Sequence, residues 1–266
     1  MLTPPVQPRP LTDVIGDIPY RIALAGGWID QPFISELNPD PCGSMVVIGI
    51  EPNFPWMERA GIATGTRKVI REVWGSLPDK PAAQLVRELY ELENKTKAEP
   101  SGSQDMIGLI YPGVCRLDYD VRHEGGLFPK HIEQTCDADV ARWVEKVIHV
   151  IPVVPRTDGY SPLGQKNLSA EWVQKLGQTG KDCYRAILAK NTKALGDSMN
   201  RCMTCWETLL PHVVRHPNIP RDLMGLLGWY QRHYPGAMYS GCGGGYLFVA
   251  SDEPVPGAFQ VTVRTK

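Results

Sequence analysis

"PYRIALAGGWIDQP", residues 19–32, begins as a strand and ends as a turn. Ile18, Tyr20, Ile22 and Leu24 alternate with Arg21 and Ala23, the period of two expected of a strand with one face in a core. The run stops at Gly26-Gly27, and Trp28 and Asp30 follow. From spacing alone, Arg21 reads as an exposed strand arginine and Asp30 as a turn residue, because polar residues are common where strands give way to loops.

Outward from this stretch, Met45 to Ile50 is a second apolar run of strand length. A helix is expected to begin near Thr64 to Thr66, and another to run from Asp79, as its N-cap, through Leu85, Leu89 and Leu92. Cys115, Leu117, Tyr119 and Val121 alternate with Arg116, Asp118, Asp120 and Arg122, as in a half-buried strand. Val147 to Val154 is a third apolar run. Beyond it, Trp172, Leu176, Cys183 and Ile187 fall near one helical face, and Leu195, Met199, Cys202, Trp206 and Leu209 on another. Pro220 and Asp222 open a third helix through Leu223, Leu226 and Leu227. Strands are expected at Tyr246 to Ala250 and Phe259 to Val263. The order implies an α+β protein divided near residue 146.

Composition narrows the function. The chain has 266 residues, of which 42% are hydrophobic and 21% charged, and a net charge of −1. That balance gives no electrostatic footprint for nucleic acid or an anionic membrane. No apolar run reaches the ~20 residues that span a bilayer, and the leader "MLTPPVQPRPL" is too polar and proline-rich for a signal peptide. Seven scattered cysteines suit reduced thiols, so a cytoplasmic location is expected. Cys202, Cys205, His212 and His216 superficially suggest zinc, but the two cysteines sit on an apolar helical face and read as core.

Three further stretches join small residues to polar groups at element ends. "YSGCGGGYLFVAS", residues 239–251, places Gly241, Gly243, Gly244 and Gly245 beside a strand. Glycines permit positive φ and close backbone approach, and their N–H groups can form an anion-binding concavity; a tight turn has the same requirements. "AGIATGT", residues 60–66, and "SGSQDMIGLIYPG", residues 101–113, complete the set. Asp105 in the latter also reads as an aspartate favoured by a helix N-terminus.

Together these stretches resemble the GHMP kinases, the superfamily of galactose, homoserine, mevalonate and phosphomevalonate kinases, most closely its fucokinase and heptose-phosphate kinase branch. Pro19, Arg21, Ile22, Gly26, Gly27, Trp28, Asp30 and Pro32 match that branch's "P-x-R-[IV]-x-x-x-G-G-[GWT]-x-D-x-P". Gln104, Asp105 and Pro112-Gly113 are similar to its "G-x-Q-D-x-x-x-x-x-x-G-G", and residues 240–249 to its "S-G-A-G-G-G-G-F-L-L". The resemblance implies a two-domain fold, with a ribosomal-protein-S5-like half over residues 1–146 and a ferredoxin-like half over 147–266. It implies ATP and Mg²⁺ as cofactors and a small-molecule sugar or sugar phosphate as substrate, with a symmetric homodimer left open.

The residue roles implied are equally specific. Arg21 would lie near the transferring phosphoryl group, Asp105 would orient or deprotonate the substrate hydroxyl, and Asp30, with Trp28 and Gly27, would bind the sugar. Gly61, Ala63, Thr64, Gly65 and Thr66 stand where the family holds nucleotide phosphates at a helix N-terminus, with Thr66 toward the metal and Arg67 and Lys68 adding charge. Gly241, Gly243, Gly244 and Gly245 would pack against that loop and shape the site. Two departures stand out: the family's "P-x-x-x-G-L-G-S-S-[AS]" is replaced by "P-W-M-E-R-A-G-I-A-T-G-T", and only about thirty residues separate Asp30 from Gly61. The first hypothesis is therefore a sugar kinase. The alternative is a non-catalytic GHMP-fold protein that keeps a sugar pocket and has lost the adenine site.

Overall fold

A computed structural model describes residues 16–38, 42–97 and 100–266. The proline-rich leader lies outside the described residues. The chain folds as two antiparallel sheets of four strands with helices packed against them.

The first sheet has the order β1 (Tyr20–Ala23), β2 (Gly43–Ile50), β3 (Val114–Tyr119) and β4 (His131–Thr135). Every residue of β2 is buried, which is why its sequence is a continuous apolar and small-residue run rather than an alternation. In β3 the alternation is kept: Cys115, Leu117 and Tyr119 face the core while Arg116 and Asp118 are half-exposed. Arg116 stands opposite Glu133 of β4 and pairs with it at 2.8 Å. β1 pairs with β2 from Tyr20 opposite Ile50 to Ala23 opposite Val47, and the bond from Leu24 N–H to the Val46 carbonyl carries the pairing up to the Gly26 turn.

A single helical turn, α1 (Pro32–Ser35), follows that turn, and α2 (Thr64–Val73), α3 (Ala82–Asn94) and α4 (Gln104–Ile110) come between β2 and β3. After β4, α5 (Ala138–Val147) leads into β5 (Ile148–Val154). Three helices then precede the last strands: α6 (Ala170–Leu188), α7 (Thr192–Leu209) and α8 (Leu223–His233). Both α4 and α6 pack on β2, and α6 packs lengthwise on α7. The stripe expected on α7 is fully buried, from Leu195 to Leu209, as are Leu176, Cys183 and Ile187 of α6; Trp172 is half-buried. Asp222 caps α8 by accepting from Gly225 N–H at 2.9 Å.

The second sheet has the order β6 (Gly236–Gly241), β7 (Gly244–Ala250), β5 and β8 (Phe259–Gln260), with α7 and α8 against β6. The strand expected over residues 259–263 is shorter than predicted. Phe259 and Gln260 pair with β5, whereas Val263 bridges to Ile50, so the chain end leaves one sheet and joins the other. Asp79 is not a cap: α3 starts at Ala82 with Pro81 as its N-cap and no side-chain cap, proline's fixed φ suiting the entry to the helix. Strand β4, strand β6 and helix α5 were not anticipated. Among the described residues no helix is long and apolar enough to cross a membrane.

Candidate active site

The ends of β1, α2, α4 and β6 converge on a cleft of about 680 Å³, within the range that suits small-molecule ligands. The turn after β1 forms one wall. Gly26 adopts φ +91° and Trp28, unusually for a non-glycine residue, φ +80°. Trp206 of α7 fixes this turn by donating its indole N–H to the Gly27 carbonyl at 3.0 Å, and a Cβ on Gly27 would stand 2.8 Å from the indole ring. Cys202, one turn back along α7, is buried and accepts from Gly26 N–H at 3.3 Å, which gives it a structural task in this turn.

Opposite lies the start of α2. Ala63 is its N-cap, in the left-handed conformation and with no side-chain cap, so the N–H groups of Thr64, Gly65 and Thr66 open the helix toward the cleft. Such a terminus carries partial positive charge and unpaired donors suited to an anion. Thr64 Oγ accepts from Arg59 N–H at 3.2 Å and closes the preceding loop. Gly61 has φ +73°, and a Cβ there would meet the Ser240 carbonyl at 2.7 Å, so glycine is required for both reasons. Ser240 Oγ in turn donates to the Ala60 carbonyl at 2.5 Å, joining β6 to this loop.

Arg21 connects the two sides. Its Nε donates to Asp105 Oδ1 at 3.0 Å, its Nη2 pairs with the same oxygen, and its Nη1 donates to the Gly61 carbonyl at 2.9 Å. The arginine is buried while Asp105, in the first turn of α4, remains about 30% exposed. Both arginine contacts use Oδ1, leaving Oδ2 for a ligand. Asp30 stands behind this pair and outside the cleft wall: its Oδ1 accepts from Gln104 Nε2 at 3.1 Å and its Oδ2 has no partner among the described residues. Burial, followed by the charge of Asp105, raises its pKa from 3.8 to about 7.

Of the residues expected from the sequence, Arg21, Gly27, Trp28, Gly61, Ala63, Thr64, Gly65, Thr66, Asp105 and Gly241 line the one cleft. Asp30 reaches it only through Gln104. Gly243, Gly244 and Gly245 do not line it; all three have positive φ and form the hairpin between β6 and β7. Arg67 does not add charge to the cleft either. Its guanidinium turns away to the Ile18 and Pro19 carbonyls and lies 3.5 Å over the Tyr20 ring, leaving Lys68 as the basic neighbour that faces the cleft.

The structure adds residues that the sequence reading missed, among them Arg59, Glu93, Lys97 and Arg156. Five basic side chains (Arg21, Arg59, Lys68, Lys97, Arg156) face three carboxylates (Glu58, Glu93, Asp105), an excess that favours an anionic ligand. Glu93, near the end of α3, pairs with Lys97 at 2.8 Å through one oxygen, while its buried Oε2 has no partner among the described residues. An unpaired buried carboxylate oxygen is costly and fits a cation. Arg156 had a weak sequence signal, its position just after a strand, where functional residues concentrate. Glu93 had none.

No family model matches the sequence. No curated protein matches it either. Solved structures do match. The mevalonate kinase of Methanococcus jannaschii superposes with a TM-score of 0.58 at 9% identity, over 88% of this chain and 89% of that one. The galactokinase of Lactococcus lactis, solved with galactose, gives 0.58 at 12% identity over 91% and 88%. The D-glycero-D-manno-heptose 1-phosphate kinase of Bacteroides thetaiotaomicron gives 0.53 at 12% over 92% and 94%. At these identities the likeness is one of fold, and the chain has the α+β fold of the GHMP-superfamily kinases.

Proposed function

We propose that this chain is a cytoplasmic sugar kinase, moving a phosphoryl group from Mg-ATP to a hydroxyl of a sugar or sugar phosphate. The observation that carries this reading is Arg21, which ties a carboxylate suited to a hydroxyl, Asp105, to the loop suited to phosphates, at Gly61. With Oδ1 held by Arg21, Asp105 presents Oδ2 to the acceptor hydroxyl and takes its proton as the oxygen attacks. Arg21 balances the negative charge that builds on the transferring group. The donors of Thr64 to Thr66 hold phosphate oxygens, and Trp28, Gly27 and Gln104 border the acceptor.

The fit to a divalent cation rests on Glu93 Oε2, buried without a partner among the described residues. Among those residues no three His, Cys, Asp or Glu side chains gather to hold a metal. Glu93 and the Thr66 hydroxyl would therefore hold Mg²⁺ together with bound phosphate, the arrangement usual for this ion. Bound Mg-ATP supplies the phosphoryl group, and the metal offsets charge on its oxygens.

One observation favours a second reading, a sugar-binding protein without catalysis. Among the described residues, the span from Asp30 to Gly61 holds only α1 and β2, which leaves little chain for an adenine pocket. A panel of hexoses and hexose phosphates with Mg-ATP, followed by ADP formation, separates the two. The kinase reading predicts acceptor-dependent ADP that is lost in Asp105→Asn. Saturable sugar binding with no ADP from any acceptor would overturn it in favour of the second.

A further inference from the structure

Arg156 is one of four cleft cations, with Arg59, Lys68 and Lys97, to which the phosphoryl-transfer scheme gives no role. It follows β5 and Pro155, and its backbone N–H donates to the Arg59 carbonyl at 3.1 Å. Its side chain lies along the hairpin between β6 and β7, with Nε donating to the Cys242 carbonyl at 2.9 Å. The glycines there make its room. A Cβ on Gly241 would stand 3.3 Å from Arg156 Nη2 and 2.9 Å from Gly61 Cα; one on Gly243 would stand 3.2 Å from Arg156 Cγ and 2.9 Å from the Tyr160 ring. The hairpin that the sequence offered as a phosphate loop thus serves as a bed for a guanidinium, and it sets that guanidinium beside the Gly61 loop.

The segment carrying Arg156 is built rather than loose. Tyr160 donates its hydroxyl to the His212 carbonyl at 2.9 Å, Thr157 donates to the Asn218 carbonyl at 2.6 Å, and Arg59 Nη2 reaches the Thr157 carbonyl at 2.9 Å. The charge balance singles Arg156 out. Arg21 is paired with Asp105, Arg59 with Asp158, Lys68 with Glu72 and Lys97 with Glu93. Among the described residues Arg156 is within 4.0 Å of no carboxylate. A half-buried guanidinium that keeps its Nη donors and has no counter-charge is matched by a phosphate, whose oxygens accept paired bonds from that planar fork.

We propose that Arg156 binds a phosphate group in the cleft next to the Gly61–Gly241 contact. The role of this residue rests on the phosphoryl-transfer reading only for which phosphate it meets, that of the donor nucleotide or one already on the acceptor.

The test is calorimetric titration of the wild type, Arg156→Lys and Arg156→Ala with three probes: inorganic pyrophosphate, Mg-ATP and a hexose 1-phosphate. Pyrophosphate affinity is expected to fall about 10- to 100-fold in Arg156→Ala and less in Arg156→Lys, each variant keeping a cooperative thermal transition. Where pyrophosphate affinity falls, a parallel loss for Mg-ATP assigns the contact to the donor, and a parallel loss for the hexose 1-phosphate but not for Mg-ATP assigns it to the acceptor. Unchanged pyrophosphate affinity in the alanine variant overturns the proposal, as does a folded wild type that binds no pyrophosphate. Pyrophosphate held through Arg156 by a protein that binds no Mg-ATP leaves this site standing and overturns the kinase reading instead.

Discussion

Replacing Asp30 by asparagine should flatten the dependence of stability on pH. Asp30 is fully buried, with one oxygen bonded to Gln104 at 3.1 Å and the other unpartnered among the described residues, and its pKa is raised from 3.8 to about 7, by burial first and then by the Asp105 charge. Below pH 3.8 the carboxyl is neutral in folded and unfolded chains and burial of charge costs nothing. Between 3.8 and about 7 the unfolded chain has released its proton while the folded chain keeps it, so stability falls as pH rises. Above about 7 the full cost stands, about 4 kcal/mol. The neighbours that face it, Asp105, Arg21 and Tyr119, are retained in the variant, so their own contributions largely cancel in the comparison.

In Asp30→Asn the new amide oxygen can still accept from Gln104, but the amide N–H would be left without a partner, a cost of about 1–3 kcal/mol that does not vary with pH. The clean quantity is therefore the slope. Between about pH 5 and about pH 8 the wild type should lose about 3 kcal/mol more than Asp30→Asn. Urea denaturation at stepped pH reads this directly. Parallel stability curves for the two proteins would refute the reasoning and place the Asp30 carboxylate in contact with water.

Two further substitutions probe the cleft. Gly61→Ala forces a Cβ toward the Ser240 carbonyl at a φ of +73°, and should cost about 1–3 kcal/mol in urea while weakening Mg-ATP binding; wild-type stability would mean the two loops are not in close contact. Glu93→Gln removes the carboxylate beside Lys97 and should raise the Mg²⁺ concentration for half-maximal ADP formation about tenfold or more, with acceptor KM little changed; an unaltered Mg²⁺ dependence would place the metal elsewhere.

The parts of the fold that were legible in the sequence are those whose period reports burial. β3 and the faces of α6 and α7 declare themselves because one side of each is packed and the other is not, whereas β1 alternates in sequence although all four of its residues, Arg21 included, are buried. β4 was missed because "HIEQT" has no fully buried residue, and β6 because four of the six residues of "GAMYSG" are small ones suited to a turn. Helix α5 did carry a signal: Asp137 accepts from Asp139 and Val140 N–H at its start.

The site was legible where residues cluster in sequence, around Arg21, residues 61–66 and Asp105. It was not legible where the fold alone brings side chains together. Glu93, Lys97 and Arg156 reach the cleft from an α3 end and a strand end that no local pattern connects. Asp30 was singled out by the resemblance, spacing alone giving a turn residue, and its distance from solvent is a property of α4, which places Gln104 in front of it. The glycines at 243–245 were expected to pack against the 60–66 loop and shape the site; a Cβ on Gly245 would indeed run into the Ala60 carbonyl, while Gly243 and Gly244 have the positive φ of the hairpin.

The central claim is that the α2 N-terminus and the residues facing it hold a nucleotide's phosphates. The most direct measurement is calorimetric titration of the folded protein with Mg-ATP and with a non-hydrolysable analogue. Saturable binding of both in the micromolar to millimolar range is the result predicted. No heat at millimolar nucleotide, from protein with an intact thermal transition, would contradict it.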